Sequence, residues 1–267
     1  MTDDTAVNRA GARPGDVIGL PKLVLRYPTE PDAIAALLPP GIEPCGEPLV
    51  QLNVYCVPVH GEPEHGISTK VSARFGDLEV SYCLAIGIEQ ESAIFVSRET
   101  NGQPKFPCDV RYFRLGAEVH ASATHQGTTF MTYRGTPTGT VEPDGAEHTE
   151  HEFWIKASPA IGGGGGFDLP PQVVLVTTSG VRTRTELLDG TRVLRDSDWD
   201  PYTALLPPVG PATAELVSTR HTGRSISPAG TLDPDAFEPF ADTIGGSRWP
   251  GDRGAPRRPP SAPGGAR

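Results

Sequence analysis

The chain has 267 residues, 37% of them hydrophobic, with 31 glycines, 29 prolines and a formal net charge of −10. That charge disfavours nucleic acid as a partner, because a phosphate backbone is met by a basic face, and no apolar run reaches the length that crosses a bilayer. The glycine and proline content argues for many turns and against long helices, and the length fits one large domain with tails.

In chain order, residues 1–18 read as a flexible N-terminal arm. Its first residues, Met1-Thr-Asp-Asp-Thr5, are acidic and lack the apolar stretch of a secretory signal, so a cytoplasmic location is expected. Residues 20–26 read as a strand. Thr29 is the predicted N-cap of a helix with Glu30, Pro31 and Asp32 in its first turn, ending at Pro39-Pro40-Gly41. Extended runs follow at 49–57, 67–75 and 80–88. In the last of these, Val80, Tyr82, Leu84, Ile86 and Ile88 fall on one face and smaller or polar residues on the other, which could line a cavity. Further runs lie at 113–122, 128–133, 152–155 and 173–188, with a hairpin turn predicted at Leu187-Leu-Asp-Gly190. The glycine run after Ala160 reads as a flexible loop, without the strand–loop–helix context of a phosphate cradle. Residues 214–226 read as the last major strand and 232–237 as a short helix. The Pro/Gly/Arg-rich segment 245–267 is expected to be disordered, which leaves a folded unit over 19–244. The predicted class is mainly β with minor α: an antiparallel β-sandwich or barrel.

Cys45, Cys56, Cys83 and Cys108 are widely spaced and form no Cys-x-x-Cys pair, so they read as reduced thiols and no metal site is expected. His148-Thr-Glu-His151-Glu152 reads as a solvated acidic loop.

The basic residues are unevenly chosen: four lysines against nineteen arginines. One lysine, Lys105, stands between Pro104 and Pro107 in the stretch Ile94-Phe-Val-Ser-Arg98-Glu99-Thr-Asn-Gly102-Gln103-Pro104-Lys105-Phe106-Pro107. Arginine keeps its charge in proteins, whereas a desolvated lysine can shed its proton and become a nucleophile. The apolar neighbours Phe106 and the two prolines are expected to supply that desolvation. Read as an extended segment, Arg98 and Glu99 point to opposite faces.

Arg98-Glu99…Gly102-Gln103-Pro104-Lys105 resembles the signature of the acetoacetate decarboxylase superfamily. Residues 23–44, ending Leu38-Pro-Pro-Gly-Ile-Glu43-Pro44, and the run Gly46–Asn53 resemble that family's N-terminal strand, helix and next strand, so the resemblance covers about residues 20–235. It implies a double-layer, barrel-like β structure with a central cavity. It also implies a Schiff-base lyase acting on a keto acid through Lys105, with no metal or organic cofactor, and a homo-oligomer. Acetoacetate decarboxylase is itself the standard example of a lysine activated by an apolar pocket or a neighbouring cation. The sequence departs from the family in several places. Leu20 stands where an arginine binds the substrate carboxylate, Asn53 where one pocket glutamate stands, and Lys70 or Ser68 where the other stands; Phe106 replaces a second lysine. Those departures leave aldolase, dehydratase or cyclase activity on a 2-keto acid in secondary metabolism as an alternative, and a non-catalytic ligand-binding β-cavity protein as another. Beyond Lys105, the candidate catalytic residues are Glu99 and His221, and the candidate substrate-binding residues are Asn53, Lys70, Arg98, Gln103 and Arg220.

Overall fold

In a computed structural model of the chain, described over residues 20–59, 61–162 and 165–246, one β-sheet closes partly on itself. Its strands are β1 (Lys22–Pro28), β2 (Glu43–Pro44), β3 (Leu49–Val59), β4 (Glu62–Phe75), β5 (Leu78–Ile88) and β6 (Lys105–Pro107). They continue with β7 (Asp109–Leu115), β8 (Glu118–His125), β9 (Thr128–Val141), β10 (Glu147–Pro159), β11 (Phe167–Leu194) and β12 (Thr213–Thr231). The hydrogen-bonded order is β10-β5-β4-β3-β1-β12-β11-β9-β8-β7, and β10 also pairs with β11. The first seven strands of that order therefore form a closed ring, while β9, β8 and β7 extend from the far half of β11 as an outer layer. Four short helices, α1 (Pro31–Leu37), α2 (Glu91–Asn101), α3 (Tyr202–Leu205) and α4 (Pro234–Phe237), pack around the strands. The predicted β class and barrel-like architecture are what is found. No helix among the described residues is long and apolar enough to cross a membrane.

Alternation along the strands sorts side chains into two compartments. Leu23, Leu25, Val50, Leu52, Val54 and Ile67 point outward from the ring and join Tyr112, Val119, Met131 and Tyr133 of the outer layer in the main core. The other face of the ring looks inward onto a smaller cluster of Cys83, Ile86, Ile88, Trp154, Val174 and Val176, closed by Ala93 and Ile94 of α2.

Several local expectations are corrected. The 80–88 run does not keep one face, because a register shift at Thr69/Lys70 lets Tyr82 and Leu84 join the main core while Ile86 and Ile88 turn inward. The predicted 113–122 strand is two strands folded about Gly116, whose φ of 61° suits a turn. No hairpin forms at Gly190: β11 runs straight through it, paired with Gly135 of β9, where a Cβ would meet the Arg134 carbonyl at 2.4 Å. Here the Asp-Gly step marks a close approach of two backbones. His148–Glu152 is part of strand β10, and among the described residues no cluster of His, Cys, Asp and Glu could hold a metal ion. Glu30, not Thr29, is the N-cap of α1; the Thr29 hydroxyl donates to the Pro207 carbonyl at 2.9 Å. At the C-terminal end Gly245 accepts from the Tyr82 hydroxyl at 2.7 Å, so the packed chain reaches past 244. Residues 1–18 and 247–267 lie outside the described residues.

Candidate active site

The stretch around Lys105 is built from a helix, a left-handed cap and a three-residue strand. Residues Glu91–Asn101 are helical, where the β-branched run suggested an extended segment. The helix is decided by its surroundings: Ala93 and Ile94 seal the inner cluster, and Gly102 ends it at φ 69°, donating to the Arg98 carbonyl at 2.9 Å. A Cβ on Gly102 would sit 2.5 Å from the Lys156 backbone, so the cap also lets α2 lie close on β10. From there Gln103 and Pro104 lead into β6, which pairs in parallel with β5, placing Lys105 beside Ile86. The Arg98 guanidinium donates to the Lys105 carbonyl at 2.9 Å and fixes the backbone at that lysine from the preceding helix.

Lys105 and Phe106 then part company. Phe106 points into the main core and packs edge-on against His125, ring centroids 4.8 Å apart. The apolar surround of the amine is therefore not Phe106 but the inner cluster. The Lys105 side chain is 9% exposed, and its Nζ lies 3.2 Å from the carboxylate of Glu64, which is 4% exposed. Glu64 belongs to β4, where Pro63 and Gly66 gave the sequence the look of a loop. It supplies a buried carboxylate beside the amine, the group that Asn53, Lys70 and Ser68 had left without an evident source.

Four ion pairs share the inward face of the ring: Lys105–Glu64, Lys70–Glu152, Arg26–Glu215 and Lys22–Glu150. Lys22–Glu150 spans from β1 to β10, opposite parts of the ring, and exposure rises from Lys105–Glu64 to Lys22–Glu150, whose side chains are 32% and 59% exposed. Burial works against the charge on Lys70, but Glu152 outweighs it and holds the ammonium above the usual lysine range. Glu152 also accepts from the Trp154 indole. Between the two deeper pairs lies Tyr55. Burial, followed by the charge of Glu64, raises its phenol well above the usual range.

Of the residues singled out from sequence, Lys105, Lys70 and Asn53 reach this inward face. Asn53 donates to the Ser68 hydroxyl at 3.2 Å and accepts from Gln51 at 2.9 Å, part of a polar ladder beside the ion pairs. Gln103 is buried and accepts from the Lys105 amide at 2.7 Å. Arg98 serves the backbone as described. Glu99 is exposed on α2, and Arg220 and His221 are exposed on β12, so the structure does not bring these three to the amine. Leu20 packs against the main core. Glu64, Tyr55 and Glu152 were missed as site residues. A groove of about 350 Å³ lies on the outer layer between Arg111, Phe113, His120 and Arg134, away from all of these groups.

Comparison with known proteins settles the relationship. The model of the family described as acetoacetate decarboxylase (ADC) matches residues 10–229. The chain belongs to the acetoacetate decarboxylase family. Among solved structures it is similar to an acetoacetate decarboxylase, with 14% identity, TM-score 0.64 and coverage of 80% of this chain and 89% of that one. It is also similar to the acetoacetate decarboxylase of Legionella pneumophila, at 15% identity and TM-score 0.62, covering 77% and 86%. A third neighbour is the enduracididine biosynthesis enzyme MppR complexed with pyruvate, at 16% identity and TM-score 0.60, covering 77% and 87%. No curated protein sequence matches the chain. At these identities the structures establish a shared acetoacetate decarboxylase fold.

Proposed function

We propose that the chain is a Schiff-base lyase acting on a small keto acid, with Lys105 as nucleophile and Glu64 as its proton partner. The observation that carries this is the 3.2 Å contact between a buried lysine amine and a buried carboxylate inside a β ring. Family membership and a neighbour complexed with pyruvate support it.

The chemistry begins when the Lys105 ammonium passes a proton to Glu64. The neutral amine attacks the ketone carbon; one proton from the nitrogen and the proton held by Glu64 pass to the carbonyl oxygen, which leaves as water and gives an iminium. In decarboxylation the bond to a β-carboxylate breaks, carbon dioxide departs, and the electron pair is taken up as an enamine. Glu64, reprotonated from solvent, then gives a proton to carbon, and water frees the product from the lysine. Aldol or dehydration chemistry on a 2-keto acid uses the same iminium and enamine, with an α-proton leaving to Glu64 instead. That second reading is favoured by the neighbouring MppR structure, complexed with the condensation product of pyruvate and imidazole 4-carboxaldehyde.

Borohydride added during incubation with pyruvate, acetoacetate and a panel of keto acids is expected to leave a reduced adduct that peptide mass mapping places on Lys105. The absence of that adduct across the panel overturns the proposal. Gas evolution from acetoacetate separates decarboxylation from the condensation reading. A folded Lys105→Ala protein that keeps both ligand affinity and pathway output would point to the non-catalytic binding protein.

A further inference from the structure

The main core holds a positive charge that no described residue balances. Arg192, on the far half of β11, is partly buried, and its guanidinium carbon stands 4.1 Å over the centre of the Tyr27 ring. Its Nη1 is buried without a hydrogen-bond partner. The Tyr27 hydroxyl, at the rim of the same ring, is also buried and unpartnered, on a residue only 1% exposed. Among the described residues Arg192 forms no ion pair and no hydrogen bond. Asp196, the acid near enough to act on the Tyr27 phenol, is instead held by Thr203, through its amide at 2.7 Å and its hydroxyl. Tyr133, paired directly with Arg192 across β9 and β11, adds a third buried hydroxyl without a partner to this layer.

We propose that Arg192 and Tyr27 form a binding site for one halide ion. A guanidinium has only donors to offer, and a charge withdrawn from water is costly unless an opposite charge meets it. The face of the Tyr27 ring offsets part of that cost, but it leaves the buried N–H unused. A water molecule would take that N–H and leave the charge unbalanced. An anion accepts from Nη1 and from the Tyr27 hydroxyl together, and balances the charge as well. One donor above the ring and one at its rim suit an ion without shape, which makes a halide the class proposed. Because Arg192 is only partly buried, such an ion can exchange with solvent. The site is separate from the Lys105 amine: Tyr27 faces the main core, whereas its neighbour Arg26 faces the inside of the ring.

The test follows the thermal midpoint of the full chain as sodium chloride or sodium bromide replaces sodium HEPES at constant ionic strength. Wild type is expected to rise along a saturating curve with either halide. Tyr27→Phe, which removes one donor to the bound charge, should raise the half-saturating concentration by about tenfold or more. Arg192→Met removes the buried charge and should lose the dependence altogether, with a midpoint in HEPES no lower than that of wild type. Bromide-soaked wild-type crystals give a readout that needs no variant to fold: an anomalous peak is expected within hydrogen-bonding reach of Arg192 Nη1 and the Tyr27 hydroxyl. A wild-type midpoint with no saturable halide response overturns the inference. So does an unchanged response in folded Arg192→Met, or a soaked crystal with no bromide at that position.

Discussion

At the scale of single residues, the proposed reaction turns on one proton passed between Lys105 and Glu64. Glu64→Gln keeps the volume and a hydrogen-bonding group but cannot receive that proton. Turnover is expected to fall by about 10²- to 10⁴-fold, the range of a lost general acid–base, while slow borohydride adduct formation still maps to Lys105. Steady-state rates together with adduct mapping check both halves. The lysine was legible in the sequence because an amine between two prolines is unusual in a chain that otherwise writes its positive charge as arginine. Glu64 was not, for a physical reason: proline and glycine on either side of it signal a loop when seen locally. In the folded ring Pro63 sits near the strand's first residues, and Gly66 is required by an aromatic ring on the next strand. Arg220 and His221 were read from an expected topology. Strand β12 does exist and stays paired with β11, but just past Thr219 its side chains, these two included, are exposed.

At the scale of elements, α2 and β6 act as one device. The helix seals the inner cluster, its left-handed cap turns the chain, and Arg98 reaches across the turn to the Lys105 carbonyl. Gly102→Ala tests that device. The substitution costs about 1–2 kcal/mol for the left-handed backbone alone, and the Cβ meets the Lys156 backbone as well. A lowered urea midpoint is expected, with slower adduct formation at Lys105 than the loss of folded protein accounts for. The extended reading of this stretch failed because Ile94, Phe95 and Val96 carry strand propensity, while burial of Ala93 and Ile94 and the glycine stop decide for helix. Most strands were legible as alternation and turn residues. Their joins were not, since a glycine that ends a strand and a glycine that lets two strands touch look alike in sequence.

At the scale of the whole molecule, the outer layer is tied to the ring by charge as well as by the main core. Glu186 on β11 accepts from Arg114 on the edge strand β7 at 2.9 Å and from Arg184 at 3.1 Å. Burial alone would raise its carboxyl, but the hydrogen bond and charge of Arg114, with Arg184, hold it below the usual 4.5. A carboxyl lowered in the folded state adds stability that is present above pH 4.5 and lost as pH falls through the folded value. Wild type is thus expected to exceed Glu186→Gln by about 1.5–3 kcal/mol at about pH 7, with the gap closing as the solution is acidified below the usual carboxyl range. Urea titrations of both proteins at neutral and acid pH check the sign.

The parting of Lys105 and Phe106 has a wider bearing. Two neighbours on one three-residue strand look into different compartments, so the Lys105 nitrogen is mounted on a lever whose other arm is embedded among Tyr112, Val119 and the rest of the main core. A tighter interior cannot be reached independently of where that nitrogen points: any repacking that tilts the aromatic ring also re-aims the amine.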